Sequence, residues 1–185
     1  MSLSILVLGL TLAAPSADSA AVAERPRPLE LGVVGGAFLP SMAGPQAVTP
    51  FRSVGIDFAL RFGVRPSSYL AFEAELGHVA LRSVDGAELS AYTFGAQAIA
   101  EWPALFSPFL LLGGGAMGMP KSGADAVGSP TPSLHWGAGV KHLLGKEVAT
   151  RAEGRHVIGF DGRHHGELLL GVSFLFGDSG EDPLP

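Results

Sequence analysis

The chain has 185 residues, 47% of them apolar and only 16% charged, against about 25% charged in soluble domains. A net charge of -5 with no basic patch excludes nucleic acid as a partner, and the absence of cysteine excludes disulfides, thiolate metal sites and cysteine nucleophiles. Glycine (26 residues) and proline (14) are abundant, but the apolar runs between their clusters can build a core or a lipid-facing wall, so the composition is not that of a disordered chain.

Ser4 to Ala14 (SILVLGLTLAA) is an apolar run too short to span a bilayer as a helix. Small residues follow, with an Ala21-Val22-Ala23 cleavage pattern before Glu24, so residues 1–23 read as a signal peptide for export. No Lys or Arg precedes the apolar core, which departs from the usual pattern; a buried helix is the alternative. No other stretch approaches the ~18–20 apolar residues of a membrane helix, which excludes a helical membrane protein. Glu24 to Pro28 (ERPRP) is a polar linker.

From Leu29 onward the chain alternates with a period of two. The first expected strand, Leu29 to Leu39, has Leu31, Val33, Ala37 and Leu39 on one face. Glu30, Gly32, Val34, Gly36 and Phe38 lie on the other. Pro40 to Pro50 is a loop by its Pro and Gly content. Ser53 to Arg65 gives the clearest pattern. Val54, Ile56, Phe58, Leu60, Phe62 and Val64 lie on one side, and Ser53, Gly55, Asp57, Ala59, Arg61, Gly63 and Arg65 on the other. Charges on a strand face need water or partners, and a barrel interior supplies them.

After a turn at Pro66-Ser67-Ser68, the third strand (Tyr69 to Leu81) sends Leu70, Phe72, Ala74, Leu76 and Ala80 outward, and Glu73, Glu75 and Gly77 inward. Counting from that turn places Arg61 opposite Glu73 and predicts a cross-strand ion pair between them. Val84-Asp85-Gly86 is a turn signal. The fourth strand (Glu88 to Trp102) carries Tyr92, Phe94, Ala96, Ala98 and Trp102 outside, and Thr93, Gly95, Gln97 and Glu101 inside. Pro103 to Pro108 turns the chain. The fifth strand (Phe109 to Met117) is almost wholly apolar, with Gly113 to Gly115 marking close approach or room for long neighbours.

Pro120 to Pro132 is a long loop. The sixth strand (Ser133 to Leu144) puts Leu134, Trp136, Ala138 and Val140 outside, and His135, Gly137, Gly139 and Lys141 inside. The seventh (Glu147 to Val157) turns Arg151, Glu153 and Arg155 inward. Gly159 to Gly166 is a loop. The eighth (Glu167 to Gly177) has Leu168, Leu170, Val172, Phe174 and Phe176 outside, and Glu167, Leu169, Gly171, Ser173 and Leu175 inside.

Apolar rows facing outward and Gly or charge facing inward, strand after strand, predict an all-β fold: an eight-stranded antiparallel up-and-down transmembrane β-barrel over residues 29–177, with a tail at 178–185. Connections after the second, fourth and sixth strands are short, Pro103 to Pro108 being a partial exception, and the others tend to be longer. That asymmetry orients the termini toward the periplasm. Aromatics at strand ends then form two girdles: Phe62, Tyr69, Trp102, Phe109 and Phe176 on the periplasmic side, Phe38, Phe51 and Phe160 on the outer side.

The segments PFLLLGGGAM at 108 to 117, LHWGAGVKHLLGKEVATRAEGRHV at 134 to 157 and GVSFLFG at 171 to 177 resemble the eight-stranded outer-membrane barrel proteins of the OmpA and OmpX kind. Gly171, Phe174 and Phe176 resemble the closing-strand signal read by the barrel-assembly machinery. Leu169 stands where that signal usually has a polar residue, and the tail follows the terminal aromatic. The resemblance implies residence in the outer-membrane lipid, assembly by that machinery and a monomer. It does not carry over the cell-wall binding of larger family members.

Nine inward charges are the candidate site: Asp57, Arg61, Glu73, Glu75, Glu101, Lys141, Arg151, Glu153 and Arg155. They could line an ion path. The favoured reading is a salt-bridge network filling the barrel, because eight strands leave an interior just wide enough for side chains. His156, His164 and His165 cluster with Asp161 at the last outer loop, but their spacing matches no metal-ligand pattern, and no metal is assigned. Ser133 and His135 suggest the rim dyads of lipid-modifying barrels. His135 is on the inward parity and no orienting carboxylate can be placed, so no enzyme and no cofactor are predicted. Three functions follow in order: a structural or surface-interaction barrel, a narrow pore for ions or small solutes, and a soluble periplasmic ligand-binding barrel. The outward apolar rows disfavour the last.

Overall fold

The computed structural model describes residues 27–40, 54–82, 88–118 and 130–177. The expected signal peptide, most of the linker, Phe51 and the tail lie outside the described residues.

The elements are β1 (Leu29–Leu39), β2 (Gly55–Val64), β3 (Leu70–Arg82), β4 (Glu88–Glu101), β5 (Phe106–Gly118), β6 (Thr131–Leu143), β7 (Val148–Gly159) and β8 (His164–Phe176). Each pairs antiparallel with its sequence neighbours, and β8 pairs with β1 to close the barrel. Closure leaves no sheet edge to template aggregation.

The register fixes the barrel's shape. The row of directly paired residues Leu29, Val64, Phe72, Ala98, Leu112, Trp136, His156 and Gly166 returns to β1 at Leu39, an offset of ten residues (29 to 39). With ~3.3 Å per residue and ~4.8 Å between strands, eight strands sheared by that much tilt at about 40° to the axis. The lumen of such a barrel is filled by side chains.

Parity along every strand follows the alternation. On β2 the sequence GIDFALRFGV alternates buried and exposed without a break, and on β8 Leu168, Leu170, Val172, Phe174 and Phe176 are exposed. Some boundaries shift. β5 starts at Phe106, so its preceding turn is as short as the other two at that end, and Pro108 sits within the strand. β8 starts at His164, which shortens the last loop.

The interior is less uniformly polar than the alternation implies. Phe38, Val79, Leu81, Ala91 and Met117 form a buried apolar cluster in the half of the lumen away from the short turns. Ala71, Ile99, Phe109 and Leu111 form another, and Val34, Ala59 and Leu169 a third. Phe38 and Phe109 therefore do not belong to outer girdles. Both occupy inward parities: Phe109 lies opposite Gly139, where a Cβ would meet its ring, and Phe38 packs into the first of these clusters and against His165.

Candidate functional site

All nine predicted charges face the lumen, and eight of them join two layers of ion pairs. At the turn end, Glu30, Arg65, Glu101 and Lys141 make a closed four-membered ring. Arg65 donates to Glu30 at 3.2 Å and to Glu101 at 2.9 Å. Lys141 donates to Glu30 at 2.9 Å and lies 3.6 Å from Glu101. Each cation meets both anions.

Above this ring lies a larger cluster built on three arginines. Glu153 is its centre: it accepts from Arg61 at 2.6 Å and from Arg151 at 2.6 Å. Arg155 Nε lies 2.7 Å from it, off the line of a hydrogen bond. Arg61 also donates to Glu75 at 2.6 Å, and Arg155 grips Glu75 with both Nη atoms at 3.0 and 2.8 Å. Arg151 donates to both oxygens of Glu73 at 2.7 and 3.0 Å and lies over the Phe109 ring, 4.9 Å from its centre. Gln97 donates to Glu73 at 2.7 Å, and its carbonyl faces His135 Nε2 at 3.2 Å. His135 is thus absorbed into the network rather than paired with Ser133.

The expected Arg61–Glu73 pair is not formed. The β2–β3 register sets Arg61 against Glu75 and Glu73 against Gly63. The last β2–β3 pair is Val64–Phe72, so the connection is centred on Ser68 rather than on Ser67, which slides the partner of Arg61 by one inward position, from Glu73 to Glu75. Glu73 instead reaches across the lumen to Arg151.

The balance of charge is uneven. Among the described residues, five inward cations (Arg61, Arg65, Lys141, Arg151, Arg155) face seven inward carboxyls (Glu30, Asp57, Glu73, Glu75, Glu101, Glu153, Glu167). Among the described residues, Asp57 is the predicted site residue that makes no ion pair; its Oδ1 is buried without a hydrogen-bond donor. Glu167 has Arg155 at 3.7 Å. Glu30, Arg65 and Glu167 are missing from the predicted set, although their inward parity was legible. They had no visible partner until the barrel closed.

Of the three residues expected to form an assembly signal, Phe174 and Phe176 are exposed on the outer wall near the turn end. Gly171 lies on the inward row, where a Cβ would press on the Val33 carbonyl and on Val34 of β1. The three-histidine cluster is split by parity: His165 faces inward against Phe38, ring centres 5.0 Å apart, while His156 and His164 face outward and meet at 3.2 Å.

No family model matches the chain, and no curated protein matches it. Solved structures do. Neisserial surface protein A superposes with a TM-score of 0.62 at 18% identity, covering 80% of this chain and 97% of that one. The N-terminal β-barrel domain of Pseudomonas aeruginosa OprF gives 0.56 at 14%, covering 82% and 99%. Ail, the attachment invasion locus protein of Yersinia pestis, gives 0.51 at 15%, covering 80% and 98%. These likenesses establish the fold: this chain folds as the eight-stranded outer-membrane β-barrels do.

Proposed function

We propose that the protein is an integral outer-membrane barrel with a structural or surface-interaction role, its lumen filled by the charge network rather than open to flow. The observation that carries this is the outer wall. Val54, Ile56, Phe58, Leu60, Phe62 and Val64 are all exposed. Ten residues of strand at ~3.4 Å each, tilted about 40°, cover a height of about 25 Å, the apolar band of an outer-membrane barrel. Tyr69, Trp102 and Phe106 frame it at the turn end, Tyr92 and Phe160 at the other. In water an apolar surface of that extent would aggregate.

Support for a filled lumen comes from the cations. Each of the five inward cations described is gripped by at least one carboxylate, and the side chains of Arg151 and Glu153 are 1% and 0% exposed. An ion path needs charges that water can reach. Export through residues 1–23, assembly through Gly171, Phe174 and Phe176, a monomeric state and a non-catalytic role complete the reading.

Fractionation and gel mobility test it. The protein should partition with the outer membrane and migrate differently before and after boiling. Recovery in the soluble periplasm would overturn the membrane placement. In planar bilayers the refolded barrel should give no steady conductance steps; steps abolished by Arg151→Ala would instead favour the pore.

A further inference from the structure

The outer wall is not uniformly convex. Across β6, β7, β8 and β1 runs a trough of about 580 Å³ floored by Gly35, Ala138, Ala152 and Gly154. It continues toward the loop end into a second hollow of about 290 Å³ bounded by Trp136, His156, Gly166 and Leu39. Gly154 and Leu168 belong to both. A hollow on a hydrocarbon-facing wall loses dispersion contacts unless something fills it, and together the two reach the size of small-molecule sites.

His156 gives the hollow its chemistry. The hydrogen-bond row that climbs from Leu29 to Leu39 gains about 3 Å of height per strand, so Trp136 and His156 sit about 16 and 19 Å above Leu29, inside the ~25 Å band. A polar ring at that depth among Leu39, Leu168 and Trp136 is costly unless it is partnered. His156 meets His164 at 3.2 Å, and the Trp136 ring packs edge-on against it at 4.5 Å. Whichever ring donates in the contact between the two histidines, at least one further ring N–H of the pair is left to donate to a ligand. The outward parities of β6, β7 and β8 carry histidines but no carboxylate, and Asp161, in the turn that leads to His164, is paired with Arg163 at 3.4 Å, so the face suits an anion.

We propose that this trough binds an acyl lipid of the surrounding membrane whose headgroup ends in a terminal, otherwise unesterified phosphate, that phosphate at His156 and His164 and a chain laid along Gly154 and Ala152. The inference rests on the membrane placement proposed above. A second copy fits less well. The facing ridges, Phe58, Phe62 and Phe72, lie on β2 and β3, and seating them here would make a head-to-tail contact that does not close.

The test uses the full chain refolded into phosphatidylcholine vesicles. The sequence has two tryptophans, so Trp102→Phe leaves Trp136 as the reporter beside His156. Brominated phosphatidic acid and brominated phosphatidylcholine are added at equal mole fraction. Trp136 should prefer the phosphatidic acid by roughly fivefold, the worth of one net hydrogen bond. The preference should vanish in His156→Ala/His164→Ala and should not appear in Trp136→Phe, which reports from Trp102. Equal quenching by the two lipids, or a preference that survives loss of both histidines, would overturn the site. Quenching by neither lipid would sink the membrane placement instead.

Discussion

Arg151 and Glu153, two residues apart on β7, point into the lumen together and are joined by a hydrogen bond of 2.6 Å. Residues two apart on a strand share a face. That local fact makes Glu153 available to Arg61 and Arg155 as well, and concentrates three guanidinium groups on one buried carboxylate.

Replacing Glu153 by Gln should therefore be among the most damaging single changes in the barrel. It leaves buried cations without their anion, which costs about 3–5 kcal/mol. Glu88→Ala removes the exposed pair with Arg82 and should cost no more than about 0.5 kcal/mol. Urea unfolding of the refolded barrel, followed by tryptophan fluorescence, measures both; equal losses would contradict the burial argument.

The register makes a prediction that simple counting from the turn reverses. A double-mutant cycle on Arg61 and Glu75 should show a coupling of about 1–3 kcal/mol, because the two are bonded. The cycle on Arg61 and Glu73 should show a clearly smaller one. The same unfolding measurement decides it, and the opposite ranking would mean that β2 and β3 are paired differently.

Asp57 should behave unlike the other inward acids. Its Oδ1 is buried without a donor in a lumen with more carboxyls than cations. Asp57→Asn removes surplus negative charge and should leave stability unchanged or raise it by about 1 kcal/mol at neutral pH. Glu73→Gln, which breaks a two-pronged bond from Arg151, should lower it. A loss at Asp57 as large as that at Glu73 would show that Asp57 has a partner.

Gly36 tests how tightly the closing seam is built. A Cβ there would fall on the carbonyl of Leu168 in β8, so Gly36→Ala forces the β1–β8 seam apart. Overpacking of this kind costs about 1–3 kcal/mol. Gly145, in the turn between β6 and β7, has open space where its Cβ would go, and Gly145→Ala should be silent. The fraction of refolded protein on an unboiled gel compares the two.

Much of this was legible in the chain itself. A period of two is a local property, so each strand's inner and outer rows, from Val54–Val64 to Leu168–Phe176, could be read directly. The even strand number and the short turns at one end followed from the same alternation and from Gly and Pro. What could not be read was which inward groups meet. Arg151 finds Glu73 78 residues away, and Lys141 finds Glu30 at 111, because shear and closure bring distant strands to one height across the lumen. Phe38 and Phe109 were misplaced for a related reason. Being aromatic and near a strand end suggests a girdle, but parity sends both rings inward, Phe109 into the space left by Gly139 and Phe38 into a buried apolar cluster. The sequence alone determined which way each side chain points; only the closed barrel, through its ten-residue stagger and narrow bore, decided what each one touches.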